Sequence, residues 1–193
     1  MTELFVISYA ALWALVVAQL ILTAVLARYV MGSTISSLDA RTRRNGPSVG
    51  GRVSTNLLVS AGLDSSVRRD AIVVFLSSTC RPCSSARDVV SAFARNHERR
   101  PWISVVCDGP PNTIGNFLAS LRGNVTTIED SQGRIAKDWD IAITPFAVAV
   151  SADGRLRAKR GRVTEDDLVE LSTVLRRRSP NVGRDPHPNQ VPL

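Results

Sequence analysis

The chain has few cysteines, few histidines and few aromatic side chains. Its 193 residues hold three Cys and two His, and aromatics make up 5%. A structural zinc site takes four Cys or His ligands, usually as two pairs. Beyond Cys80 and Cys83 only Cys107, His97 and His187 remain, so no second pair exists and no metal site is expected. The formal charge is +7, carried almost entirely by Arg. These Arg residues are scattered rather than interleaved with aromatics, which argues against a nucleic-acid surface. No internal repeat is visible, and at 44% hydrophobic the chain can build an ordinary core.

One stretch lacks charge altogether. Leu4 to Ala27 is apolar apart from a few small or amide residues such as Ser8, Gln19 and Thr23. At about 1.5 Å per helical residue it is long enough for a hydrocarbon core of roughly 30 Å. A cleaved signal peptide would have a basic start and an apolar core of about 7–15 residues. Met1-Thr2-Glu3 offers no basic side chain, and the run is longer, so residues 1–28 read as a retained single-pass anchor. Arg28, Arg41, Arg43, Arg44 and Arg52 follow the run, and only Glu3 precedes it. Charge bias by itself therefore places the rest of the chain in the cytoplasm. Residues 29–52, rich in Ser, Gly and Arg, read as a juxtamembrane linker. Residues 179–193, with Pro180, Pro186, Pro188 and Pro192, read as a disordered tail.

Between them, residues 53–178 form one domain of alternating elements. Val53–Val59 suggests a short edge strand. Ala71–Leu76 is a buried strand, and Ser84 to His97 a helix with Val89, Val90, Phe93 and Ala94 inward. Trp102–Cys107 is a strand, Ile114–Leu121 a short helix, Val125–Ile128 a strand, and Ser131–Trp139 a short helix or turn. Phe146–Val150 and Arg155–Lys159 flank the turn at Asp153-Gly154 as a hairpin. Thr164 caps the last helix, whose first turn carries Asp166 and Asp167. A βαβ half followed by a ββα half is an α/β fold with a mixed sheet flanked by helices.

Cys80-Arg81-Pro82-Cys83 lies where the first buried strand passes into a helix. A Cys-x-x-Cys at such a junction suits thiol–disulfide exchange, because a helix N-terminus favours thiolate over thiol. The remaining cysteine, Cys107, ends an apolar strand and reads as a small core residue.

With Ile143-Thr144-Pro145-Phe146, Asp130-Ser131-Gln132-Gly133 and Asp153-Gly154, these marks resemble the membrane-anchored thioredoxin-like family of TlpA and ResA type. Thr144-Pro145-Phe146-Ala147-Val148 with Arg157-Ala158-Lys159 is most similar to its methylamine-utilisation, MauD-like members. The resemblance implies Cys80 as nucleophile and Cys83 as resolving thiol. It implies a cis Pro145 facing them, with the Thr144 backbone free to pair with an extended substrate. Arg81 is expected to tune the Cys80 thiolate. Two familiar acids are missing: the buried Asp six residues before the first Cys is Val74, and the Glu three after the second is Ala86.

The expectation is a membrane-tethered protein-disulfide oxidoreductase with no cofactor. It would exchange disulfides with protein substrates and a redox partner protein, in the maturation of extracytoplasmic redox proteins. A non-catalytic thioredoxin-fold binding module is the alternative. The resemblance places the domain outside the cytoplasm, against the charge bias.

Overall fold

The structure is a computed structural model that describes residues 7, 9, 12–26, 42, 44–63, 69–96 and 101–177. The chain divides into two units, Met1–Arg41 and Thr42–Leu193.

In the first unit, residues 12–26 form helix α1 with every side chain exposed. Thr23 donates its hydroxyl to the Gln19 carbonyl one turn back, at 2.7 Å, so this polar side chain is satisfied within the helix. Among the described residues, no helix is long and apolar enough to cross a membrane. The ends of the run expected to span a bilayer, and the whole of 27–41, lie outside the described residues, as does the tail 179–193.

The second unit is a five-stranded sheet, ordered β3-β2-β1-β4-β5. Its strands are β1 (Ala71–Ser77), β2 (Trp102–Asp108), β3 (Thr126–Asp130), β4 (Phe146–Val150) and β5 (Leu156–Arg160). β1, β2 and β3 run parallel, while β4 is antiparallel to both β1 and β5. This is the expected mixed sheet. β1 is central and buried at all seven positions. A strand covered on both faces needs an unbroken apolar run, and Ala-Ile-Val-Val-Phe-Leu supplies it.

Alternation along β1 divides the core. Ile72, Val74 and Leu76 pack with Val90 and Phe93 of α3 (Arg81–Asn96), Ile114 of α4 (Pro111–Ala119) and Leu168 and Leu171 of α6 (Glu165–Arg177). Val73 and Phe75 pack on the opposite face with Trp139, Ile141 and Phe146. There the Phe75 and Trp139 rings lie 5.5 Å apart. The short helices α2 (Thr55–Ser60) and α5 (Arg134–Asp138) cover this second face.

The expected edge strand at Val53–Val59 is instead α2. Ser54 caps it by accepting from the Leu57 amide, and the Trp139 indole donates to the Leu57 carbonyl at 3.1 Å. The cap and this tertiary bond override the β-branched character of Val53, Thr55 and Val59. Strand pairing survives only as an Arg52–Arg155 bridge. α3 and α4 each begin three residues earlier than the apolar pattern implied. Pro82 and Pro111 sit in their first turns, where a missing N–H costs nothing. α6 opens as expected, with a reciprocal cap. The Asp167 amide donates to Thr164 Oγ1 at 3.2 Å, and the Thr164 amide donates to Asp167 Oδ2 at 3.1 Å.

Candidate active site

β1 delivers the chain to Ser77-Ser78-Thr79, a turn with little freedom. The Ser78 amide donates to the Asp108 carbonyl at 2.9 Å, and the Cys80 amide to the Ser77 carbonyl at 3.2 Å. The Ser77 and Thr79 hydroxyls share a hydrogen bond of 3.2 Å. Thr113 donates to the Pro110 carbonyl at 2.9 Å, so the 2.7 Å contact between Ser78 and Thr113 has the Ser78 hydroxyl as donor. The turn is thus pinned to the end of β2 and the first turn of α4.

Cys80 precedes α3 and Cys83 lies in its first turn, with the Cys83 amide donating to the Cys80 carbonyl at 3.1 Å. Their sulfurs are joined in a disulfide, with the Cα atoms 5.3 Å apart. Cys83 is fully buried and Cys80 half-buried, so only the first sulfur is open to a reacting partner.

The loop before β4 faces this pair. Its Thr144–Pro145 bond is cis. Cys80 Sγ lies 3.6 Å from the Thr144 carbonyl oxygen. Thr144 and Pro145 are half-buried, and Ile143 beside them is 43% exposed. The structure therefore brings Cys80, Cys83, Thr144 and Pro145 together. Arg81 stands apart. It is exposed at the start of α3, and its side chain makes no hydrogen bond or ion pair among the described residues.

Val74 and Ala86, where acids were looked for, are buried in the same apolar cluster as Cys83. Sequence reasoning passed over one half-buried acid at the strand ends. Asp108 ends β2, in register with Ser77 of β1 and Asp130 of β3. Its Oδ1 is buried without a hydrogen-bond partner. Burial raises its pKa above the usual carboxylate value, with Asp130 adding to the rise and a hydrogen bond from Ser77 opposing it. Asp130 itself is engaged, accepting from the Ala136 amide at 2.9 Å. Cys107 is buried and free, and burial, helped by Asp108, pushes its thiol up to about 12. Among the described residues, no three Cys, His, Asp or Glu side chains gather as a metal would require.

A second missed residue is Asn45. Its side chain accepts from the Ala142 amide at 2.6 Å and donates to the Ile143 carbonyl at 3.2 Å. It therefore holds the residues immediately before Thr144, although it was expected to lie in the linker.

The fold has solved counterparts. The chain superposes on the structure of MTB dsbF in its mixed oxidized and reduced forms with a TM-score of 0.51 at 21% identity, over 57% of this chain and 84% of that one. A secreted Mycobacterium tuberculosis disulfide oxidoreductase homologous to E. coli DsbE gives 0.49 at 18% identity, over 56% and 83%. No family model matches the chain. The mixed sheet, with the Cys80–Cys83 disulfide at its strand-to-helix junction, is a thioredoxin-like fold carrying a Cys-x-x-Cys site. By sequence the chain is similar to a MauD protein. It is 25% identical over 144 residues to the methylamine utilization protein MauD of Methylorubrum extorquens AM1, which spans 70% of this chain and 68% of that protein.

Proposed function

We propose that the chain is tethered to a membrane and exchanges disulfides with protein substrates through Cys80-Arg81-Pro82-Cys83. The observation that carries this reading is the pairing of a half-exposed Cys80 with a fully buried Cys83 beneath the Thr144 carbonyl. In the reductive direction the Cys80 thiolate attacks one sulfur of a substrate disulfide and expels the other as thiolate. Cys83 then attacks Cys80, releasing the second substrate sulfur and closing the Cys80–Cys83 disulfide. Two electrons pass to the substrate, and a dithiol of a partner protein restores the pair. In reverse, one thiolate of a substrate dithiol attacks Cys80 and expels Cys83 as thiolate; the second substrate thiolate then attacks the first, freeing Cys80 and leaving the substrate as a disulfide. The Thr144 backbone and Pro145 form the edge against which the substrate segment lies.

The positive dipole end at the start of α3 favours the Cys80 thiolate. Arg81 adds to this only modestly, because water screens an exposed charge. The reduction potential of the pair tests the reading. A reversible couple near about −120 mV marks an oxidant, and one near about −270 mV a reductase. Insulin reduction that disappears in Cys80→Ser supports the same conclusion. A pair that forms no reversible disulfide leaves a non-catalytic binding module. The apolar Val74 and Ala86 around Cys83 favour that second reading, since no carboxylate there can move a proton.

The tether would comprise residues 1–28, and the uninterrupted exposure of Leu12, Trp13, Leu20 and Ile21 supports it. A linker would reach the domain at Thr42, with 179–193 as a tail. The MauD likeness supports an extracytoplasmic domain and a role in maturing redox proteins there. The Arg residues after α1 argue for the opposite face. Labelling of reduced Cys80 in intact spheroplasts by a membrane-impermeant maleimide decides between them.

A further inference from the structure

The segment Asn45-Gly46-Pro47 is built into the domain as a bracket under the loop that faces Cys80. The Asn45 carboxamide uses both of its ends on that loop, accepting from Ala142 N–H and donating to Ile143 C=O at 2.6 and 3.2 Å. The Gly46 amide donates to the Asp140 carbonyl at 2.7 Å. Gly46 has φ +73°, and a Cβ there would come within 2.8 Å of Ile141 and 3.3 Å of Phe146, so the bracket lies close against the loop.

The bracket is held from the other side by Lys159 of β5. Its ammonium donates to the carbonyls of Asn45, Gly46 and Pro47 at 2.8, 3.3 and 3.1 Å. A lysine has three protons and no acceptor, so three converging carbonyls suit it well. Asn45 is 4% and Lys159 8% exposed. A buried polar side chain is normally kept only where it is hydrogen-bonded, and the five bonds named here end on the bracket or the loop.

Ala142 N–H and Ile143 C=O take no part in the sheet, and Asn45 is the partner that pairs both of them. We propose that Asn45 is a positioning residue for exchange with protein substrates. It fixes the backbone of Ala142 and Ile143, and so holds the Thr144 carbonyl and its free edge at the distance from Cys80 that a bound chain segment requires. Asn45 touches neither cysteine, so the sulfur chemistry itself does not depend on it. The inference rests on the disulfide-exchange reading given above.

That separation provides the test, made on the full chain in detergent micelles. Wild type, Asn45→Ala and Asn45→Asp are compared in two reactions: equilibration of the Cys80–Cys83 pair with dithiothreitol, and steady-state reduction of insulin. Asn45→Ala should raise the KM for insulin about tenfold while kcat, the potential and the dithiothreitol rate stay within twofold. Asn45→Asp keeps the acceptor for Ala142 and loses the donor to Ile143, so its KM should lie between the two. An unchanged KM in folded Asn45→Ala overturns the proposal, and so does an equal slowing with dithiothreitol, which would mean general damage. Should Asn45→Ala fail to fold, the KM of Asn45→Asp decides by the same criterion. A wild-type chain that never equilibrates with dithiothreitol refutes the exchange reading first, and this inference falls with it.

Discussion

Cys80 Sγ and the Thr144 carbonyl oxygen, 64 residues apart in sequence, lie 3.6 Å from each other. On the proposed reading, the sulfur that attacks a substrate lies beside the backbone group that holds it. With Cys83 sealed beneath, the two sulfurs of the disulfide cannot exchange roles.

This asymmetry predicts which variant traps a substrate. Cys83→Ser leaves Cys80 free to form a mixed disulfide that nothing resolves. Incubated with insulin, it should give a covalent adduct on a non-reducing gel that dithiothreitol dissolves. Cys80→Ser should give none. Adducts through Cys83 would contradict the assigned order.

Cys107 should be silent. With its thiol at about 12, only about one molecule in ten thousand is thiolate at pH 8, and the sulfur is buried as well. The oxidised native chain should give no reaction with a thiol-specific disulfide reagent, and one thiol per chain after denaturation. Rapid labelling of the native protein would show that β2 opens.

Asp108 should make stability depend on pH. Its folded pKa is raised, so the folded state holds the proton more tightly than the unfolded chain. That contribution is present at low pH and is lost as pH rises through the folded value. At neutral pH the ionised group is a burden, with Oδ1 unpartnered and Asp130 nearby. Asp108→Asn should raise the urea midpoint at pH 7, with the advantage shrinking towards pH 4. The same gain at both pH values would rule out this origin.

Two glycines with similar backbone angles should differ in their tolerance of a side chain. Gly46 (φ +73°) and Gly50 (φ +88°) both occupy the left-handed region, but only Gly46 has atoms where a Cβ would go. Gly50→Ala should cost about 1–2 kcal/mol from the backbone alone. Gly46→Ala should cost more, because Ile141 must also move. Urea unfolding of the two variants measures the difference.

The parts of this fold that were legible are those whose signal is local. β1 and β4 are apolar runs closed by turn residues, and the capping pair Thr164 and Asp167 sits within three positions. Cys80 and Cys83 point to their proposed chemistry through their spacing and their place between an apolar run and a helix. α2 was misread because Val53–Val59 carries strand-forming side chains, and the contact that makes it a helix comes from Trp139, 82 residues away. Asn45 had no signal at all. Its partners are 97 and 98 residues along the chain, and an Asn before Gly-Pro reads as an ordinary turn. Asp108 carries no signal of its own in the sequence, since the burial of its Oδ1 depends on three strand ends meeting in register.

The complete burial of β1 also governs which half of the site is able to yield. Each of its residues from Ala71 to Phe75 is paired to β2 on one side and β4 on the other, with core on both faces. Amide protons there should exchange only when the whole domain unfolds. The sulfur half of the site thus stands on the most slowly opening part of the molecule. The carbonyl half rests instead on the Asn45 carboxamide and the Lys159 ammonium. On the proposed reading, adjustment to substrates of different shape falls to residues 142–145, while the Cys80–Cys83 pair stays in place.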